Sequence, residues 1–357
     1  MRRSQFLRFG LGLAVMAAGA LTFAACGDDD AAPKTGVDNS APGDGLNGVH
    51  NDFKANDGKL KVATTVAPLT SILVNIGGNR IHIYGLIPDG VDSHTFEPKP
   101  SDAAVLSRAD MLIMNGAHLE GTTEKIAQQN LKNKDKIYKL ADNTISGEDE
   151  KTGFLYDFSF PKAEGNPNPH LWMNPKYAMK YAELMRDWLS ENDTANKDYY
   201  SKNYDKFAAV IGQLDAAIKK DKEAVPAKNR KLLTYHDSWA YWAREYEWTV
   251  IGAIQPSDFA EPSAKDVADL ISQIKKESVP AIFGSEVFPS KTLETIAKES
   301  GAAFEDKLSD DAPPGEAGAK NHTYVAMLVE DMKIMFGRLG GSAPEVAKVP
   351  VENSFIR

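Results

Sequence analysis

The sequence predicts an α/β protein built as two doubly wound α/β lobes, and two observations carry that expectation. Short apolar runs of strand length alternate with amphipathic helical runs over 59–140, and the same alternation returns over 231–339. Alternating strands and helices imply mostly parallel sheets with helices on their faces. Between the two halves, apolar residues at Tyr204, Phe207, Ala208, Val210, Ile211, Leu214, Ala217 and Ile218 keep helical spacing across 199–222. A chain of 357 residues is long enough for two such units.

In order, a strand is expected over 59–66, a helix over 68–76 closed by Gly77-Gly78, and an alternating strand over 81–87. Ser101 is a plausible N-cap for a helix running to 109. A strand over 111–115, a helix over 122–129 and a strand over 136–140 complete the first alternation. Residues 142–166 read as a polar loop without histidine, and 175–190 as an amphipathic helix. In the second half, strands are expected over 231–235, 248–253, 281–284 and 302–304, with helices over 238–246, 263–278, 290–300 and 323–339.

The N-terminus reads as a targeting segment rather than part of the fold. Arg2, Arg3 and Arg8 precede an apolar stretch rich in small residues that ends Leu21-Thr22-Phe23-Ala24-Ala25-Cys26. That ending resembles the lipobox of bacterial lipoproteins, with Phe23 where Leu is usual, and implies lipidation of Cys26 and attachment to a lipid bilayer. An ordinary signal peptide or an uncleaved anchor fits the same residues, and Arg2-Arg3 leaves the twin-arginine export route open. Cys26 is the only cysteine, so the chain has no internal disulfide and no thiolate for a metal. Residues 27–58 hold few large apolar side chains and read as a flexible tether. The expected divisions are therefore a leader (1–26), a tether (27–58), a first lobe (59–197), a linking segment (198–224) and a second lobe (225–357). A formal charge of −9 argues against nucleic acid as a partner.

The candidate chemistry lies in three imidazoles and one carboxylate. His94 sits in Ser93-His94-Thr95-Phe96-Glu97-Pro98, a loop past the strand over 81–87, where open α/β sheets place ligands. His170 stands in the proline-framed segment Asn166-Pro167-Asn168-Pro169-His170-Leu171-Trp172. His236, in Tyr235-His236-Asp237, directly follows an apolar strand, and Asp306, in Glu305-Asp306-Lys307-Leu308-Ser309, follows the apolar run over 302–304. Separations of 76, 66 and 70 residues rule out a local finger, so any shared site must be assembled by tertiary folding.

These motifs, with Glu261-Pro262-Ser263 and in this order, resemble the zinc/manganese-type metal-binding lipoproteins that serve ABC importers, over most of the chain from about 59 to 339. The resemblance implies that the long helix links the lobes as a rigid rod, and that a metal sits in the cleft between them on His94, His170, His236 and Asp306. It implies partnership with the transmembrane subunits of an ABC permease, extracytoplasmic location at the cell membrane, and a binding rather than catalytic role; a monomer is expected. Three imidazoles and a carboxylate suit tetrahedral Zn²⁺. Manganese binders of this type tend to have a carboxylate in place of His236, and harder oxygen ligands favour Mn²⁺. Manganese or iron are the alternatives, followed by a zinc hydrolase or an adhesin. Asp237, Glu97, Trp172 and Trp239 are expected to orient or bury the site, and Glu286 to support it or contact the other lobe. His82, His118 and His322 read as structural or exposed, and His50 lies in the tether.

Overall fold

The computed structural model describes residues 52–147, 152–257, 259–287 and 291–357. The leader, Cys26, residues 27–51 of the tether with His50, and Ser290 lie outside the described residues.

The first sheet holds β1 (Leu60–Thr64), β2 (Ile81–Gly85), β3 (Met111–Met114) and β4 (Ile137–Lys139) in the order β2-β1-β3-β4, all parallel. The second holds β5 (Lys231–Thr234), β6 (Thr249–Ala253), β7 (Ala281–Ser285) and β8 (Ala303–Leu308) in the order β6-β5-β7-β8, again all parallel. In each sheet the first two strands in sequence pair before the chain crosses over to the other side. Each therefore has a switch point at its C-terminal end, between β1 and β3 and between β5 and β7, where α/β sheets place ligands.

The helices are α1 (Ala67–Gly77), α2 (Pro100–Leu106), α3 (Gly121–Asn130), α4 (Pro175–Asn192), α5 (Lys197–Asp221), α6 (Ala240–Tyr246), α7 (Ala264–Glu277), α8 (Lys291–Ser300) and α9 (Tyr324–Arg338). Most element ends shift by one to three residues from expectation, and two of the departures have a clear physical reason. Helix α2 begins at Pro100, because proline suits the first helical position, and the Asp102 carboxylate accepts the Lys99 N–H at 2.7 Å. Strand β8 runs four residues further than its apolar run, to Leu308.

α5 spans 25 residues, about 37 Å at 1.5 Å per residue, and carries the chain from the first sheet to the second. Its apolar stripe, including Phe207, Ile211, Leu214 and Ile218, is buried. One continuous core runs from Val62, Ile72 and Ile113 beneath the first sheet, through α4 and α5, to Trp239, Trp242 and Phe336 of the second half. Smaller apolar clusters cover the remaining sheet faces, around Leu112 and Leu106 in one lobe and Leu233 and Ile282 in the other. The chain end also returns to the first lobe: Ser354 N–H donates to Asn75 Oδ1 at 2.7 Å, and Ile356 N–H donates to Asn203 Oδ1 at 2.8 Å. Among the described residues, no helix is long and apolar enough to cross a membrane.

Candidate metal centre

Three imidazoles from distant parts of the chain meet where the C-terminal ends of the two sheets face one another. His94 lies in a turn between β2 and α2, His170 immediately before the short 3-10 turn that leads into α4, and His236 two residues past β5. The Nε2 atoms of His94 and His170 are 3.1 Å apart, and those of His170 and His236 are 2.8 Å apart. Ligands of a tetrahedral zinc ion, each about 2.0 Å from the metal, would lie about 3.3 Å from one another. An expansion of a few tenths of an ångström would seat the ion. Among the described residues this is the one group of three or more metal-ligating side chains so closely gathered.

The rings are held in place by identifiable bonds. Asn168 Oδ1 accepts from both the backbone N–H of His170 (3.0 Å) and its Nδ1–H (2.8 Å). A proton fixed on Nδ1 leaves the lone pair on Nε2, the atom that faces the other two histidines. Asn168 is itself anchored across the lobes, its Nδ2 donating to the Asp237 carbonyl at 2.8 Å and to Asp157. Asp92 Oδ1 accepts the His94 N–H at 2.9 Å and fixes the turn that carries that ring. Phe259 stacks on His94 at 4.5 Å between centroids, Phe160 packs on both His94 and His170, and Trp172 meets His170 edge-on. Phe259 holds φ at +58°, a conformation costly for a bulky residue and tolerated where the surroundings enforce it.

Asp306 does not join this group. It is exposed on β8, where the predicted strand end proves to be mid-strand. A carboxylate that approaches His236 stands four residues later. Asp310 is buried and its Oδ2 lies 3.8 Å from His236 Nε2. Its backbone carbonyl accepts the Trp172 Nε1–H at 2.8 Å, tying the second lobe's acid to the segment that carries His170. The next residue, Asp311, accepts from Ser93 Oγ (3.0 Å) and Ser93 N–H (3.2 Å), beside His94.

Burial dominates the electrostatics. It pushes His94 and His170 well below the ordinary imidazole range, aided by the neighbouring rings, and lowers His236 to about 4. All three are neutral, as metal ligation requires. Burial raises Asp310 well above the usual carboxylate range, helped by the nearby charges of Glu286 and Asp311, and Asp311 rises to about 8 for the same reasons. Acids crowded at one dry point disfavour their own ionisation, and a divalent cation placed among them removes that penalty.

The other residues singled out in the sequence divide. Asp237 accepts the Ser159 N–H at 2.9 Å and Trp172 touches His170, so both brace the site. Glu97 is exposed, and Trp239 packs on Trp242 in the core. His82 is buried against Asp57, His322 lies 3.1 Å from Asp89, and His118 is exposed in a left-handed turn at φ +66°.

The family model of ZnuA, the periplasmic component A of a zinc-uptake complex, matches residues 62–335. The chain belongs to this family. The resemblance drawn from the sequence motifs is thereby shown, as is the two-lobed α/β fold. ZnuA-family proteins are solute-binding receptors of metal ABC transporters and not enzymes. Relatives include the metal ABC transporter substrate-binding lipoprotein SloC of Streptococcus mutans, 27% identical over 77% of this chain and 88% of that protein. The manganese ABC transporter substrate-binding lipoprotein PsaA of Streptococcus pneumoniae is 26% identical over 77% and 87%. The zinc-binding protein TroA of Treponema pallidum is 27% identical over 80% and 90%. The solved structure of TroA superposes with a TM-score of 0.71, at 26% identity, covering 79% of this chain and all of that one.

Proposed function

We propose that this ZnuA-family protein captures Zn²⁺ outside the cytoplasm, on His94, His170, His236 and Asp310, and delivers it to the transmembrane subunits of an ABC permease. The observation that carries the reading is the convergence of three neutral Nε2 atoms beside one buried carboxylate, two groups from each half of the chain. Nitrogen-rich, four-donor sets suit tetrahedral zinc, and four protein ligands leave no open position for the water a zinc hydrolase needs. Manganese, named in a relative, favours harder oxygen donors than a third imidazole at 236 supplies. In this reading the protein works as a monomer, lipidated at Cys26 and held at the membrane by the tether. The functional divisions are the leader (1–26), tether (27–58), first lobe (59–197), linking helix (198–224) and second lobe (225–357).

The ligand assignment is tested on the full-length chain by Zn²⁺ titration against a chromophoric chelator. Asp310→Ala lowers affinity by at least about tenfold, whereas Asp306→Ala leaves it unchanged. The reverse pattern would return the carboxylate role to Asp306. Because zinc outbinds manganese at nearly any nitrogen/oxygen site, the transported metal is judged in cells rather than in the cuvette. Loss of the protein lowers cellular zinc and spares manganese; depletion of manganese alone would overturn the zinc reading.

A further inference from the structure

At the end of β7 stands a carboxylate with an unusual set of partners. A single oxygen of Glu286, Oε1, accepts from three successive backbone N–H groups: Asp310 at 2.9 Å, Asp311 at 2.9 Å and Ala312 at 3.0 Å. Its other oxygen accepts Ser285 Oγ at 3.2 Å. Successive N–H groups aimed at one point form a concave nest that calls for an anion. Here a side chain from the neighbouring strand fills it, so the path of 310–312 is dictated from outside that segment.

The second lobe's acids reach this end of the site from that turn. It presents the Asp310 carboxylate to His236, the Asp310 carbonyl to Trp172 and the Asp311 carboxylate to Ser93. The Asp310 N–H is held by Glu286 while the Asp310 Oδ2 lies 3.8 Å from His236 Nε2. We infer that Glu286 is a positioning residue for the metal: by filling the nest it fixes the turn in which Asp310 approaches His236 of the histidine cluster and Asp311 docks on Ser93. The inference rests on Asp310 being a ligand. It assigns Glu286 no contact with the ion; what matters is an acceptor that reaches three donors at once. Without it, three inward-facing N–H groups must find other partners, and the turn that carries Asp310 rearranges to provide them.

The experiment uses the full-length chain with Zn²⁺ titration and Co²⁺ as an absorbing substitute. Glu286→Ala weakens Zn²⁺ binding roughly 10- to 100-fold and dims the tetrahedral Co²⁺ bands, while the far-ultraviolet circular dichroism is retained. Glu286→Gln keeps an oxygen acceptor in the nest and restores most of the affinity. Adding Glu286→Ala to Asp310→Ala costs nothing further, because the effect passes through Asp310; a purely structural role would remove the same factor in either background. Should Glu286→Ala fail to fold, Glu286→Asp, one methylene too short to reach all three donors, takes its place. Wild-type affinity and Co²⁺ bands in that variant, or an equal loss with and without Asp310, would overturn the inference alone. An unchanged affinity in Asp310→Ala would overturn the ligand assignment and this inference with it.

Discussion

The two lobes bring opposite chemistry to the same point. On the first-lobe side stand His94 and His170, the first carried by a turn that Asp92 fixes and the second held by the Asn168 amide, which points its Nε2 lone pair inward. On the second-lobe side, His236 has Asp310 at 3.8 Å, and the turn that carries Asp310 and Asp311 is held by Glu286. Direction comes from one side and charge from the other. Neither suffices for a divalent cation: neutral imidazoles alone leave its charge uncompensated in a dry site, and crowded acids alone do not ionise there. The division also explains why Ser93 and Trp172 of the first lobe donate to Asp311 and to the Asp310 carbonyl, since those bonds hold the two faces in register.

The sharpest way to break this comparison is to delete a ring from either side. Structural zinc sites bind with about 10–16 kcal/mol across four ligands, or about 2.5–4 kcal/mol each if shared evenly. His170→Ala and His236→Ala should each weaken Zn²⁺ binding on the order of 100-fold or more with the fold intact, by chelator competition and circular dichroism. Unchanged affinity in both would remove them from the site. A smaller effect isolates the first lobe's contribution of direction. Asn168→Ala removes the acceptor that holds the His170 tautomer and should cost roughly 10- to 100-fold. An Asn168→Ala variant with full affinity would show that the ring needs no such guide.

The smallest expected effect is on stability against pH. Burial depresses the three imidazoles, His236 to about 4, whereas unfolded histidine titrates near 6.5. As pH falls below about 6.5 the unfolded chain takes up protons that the folded cluster refuses, so metal-stripped protein loses stability, and the loss levels off below the folded values. The melting temperature of stripped protein should fall by several degrees between pH 7 and pH 5, and bound zinc should abolish most of that fall. A flat profile in stripped protein would contradict buried neutral rings. The same depression lets zinc persist to lower pH than an exposed histidine site allows.

Much of this was legible in the sequence for physical reasons. Strand and helix periodicity is strong wherever an element is buried on a face, which is why each expected strand and helix is found. The three histidines could be named because each follows a strand end or a proline-framed turn. Asp306 lies mid-strand rather than past a strand end because β8 is an edge strand: one side of it faces solvent, so Glu305, Asp306 and Lys307 sit within it although they end the apolar run. Glu305 there pairs with Arg338 of α9 at 2.8 Å. The bonding of Glu286 left no trace in the residue pattern, since its partners are main-chain N–H groups that any sequence carries. Phe259 was equally silent, because only its backbone conformation and its stack on His94 mark it out.

The return of the last residues to Asn75 and Asn203 means that polypeptide spans the lobe boundary twice, once outward along α5 and once homeward at 354–356. With a continuous apolar interior beneath both spans, a clamshell swing would have to open that shared core. Loading and unloading an ion is therefore a matter for the loops at the mouth, not for the hinge.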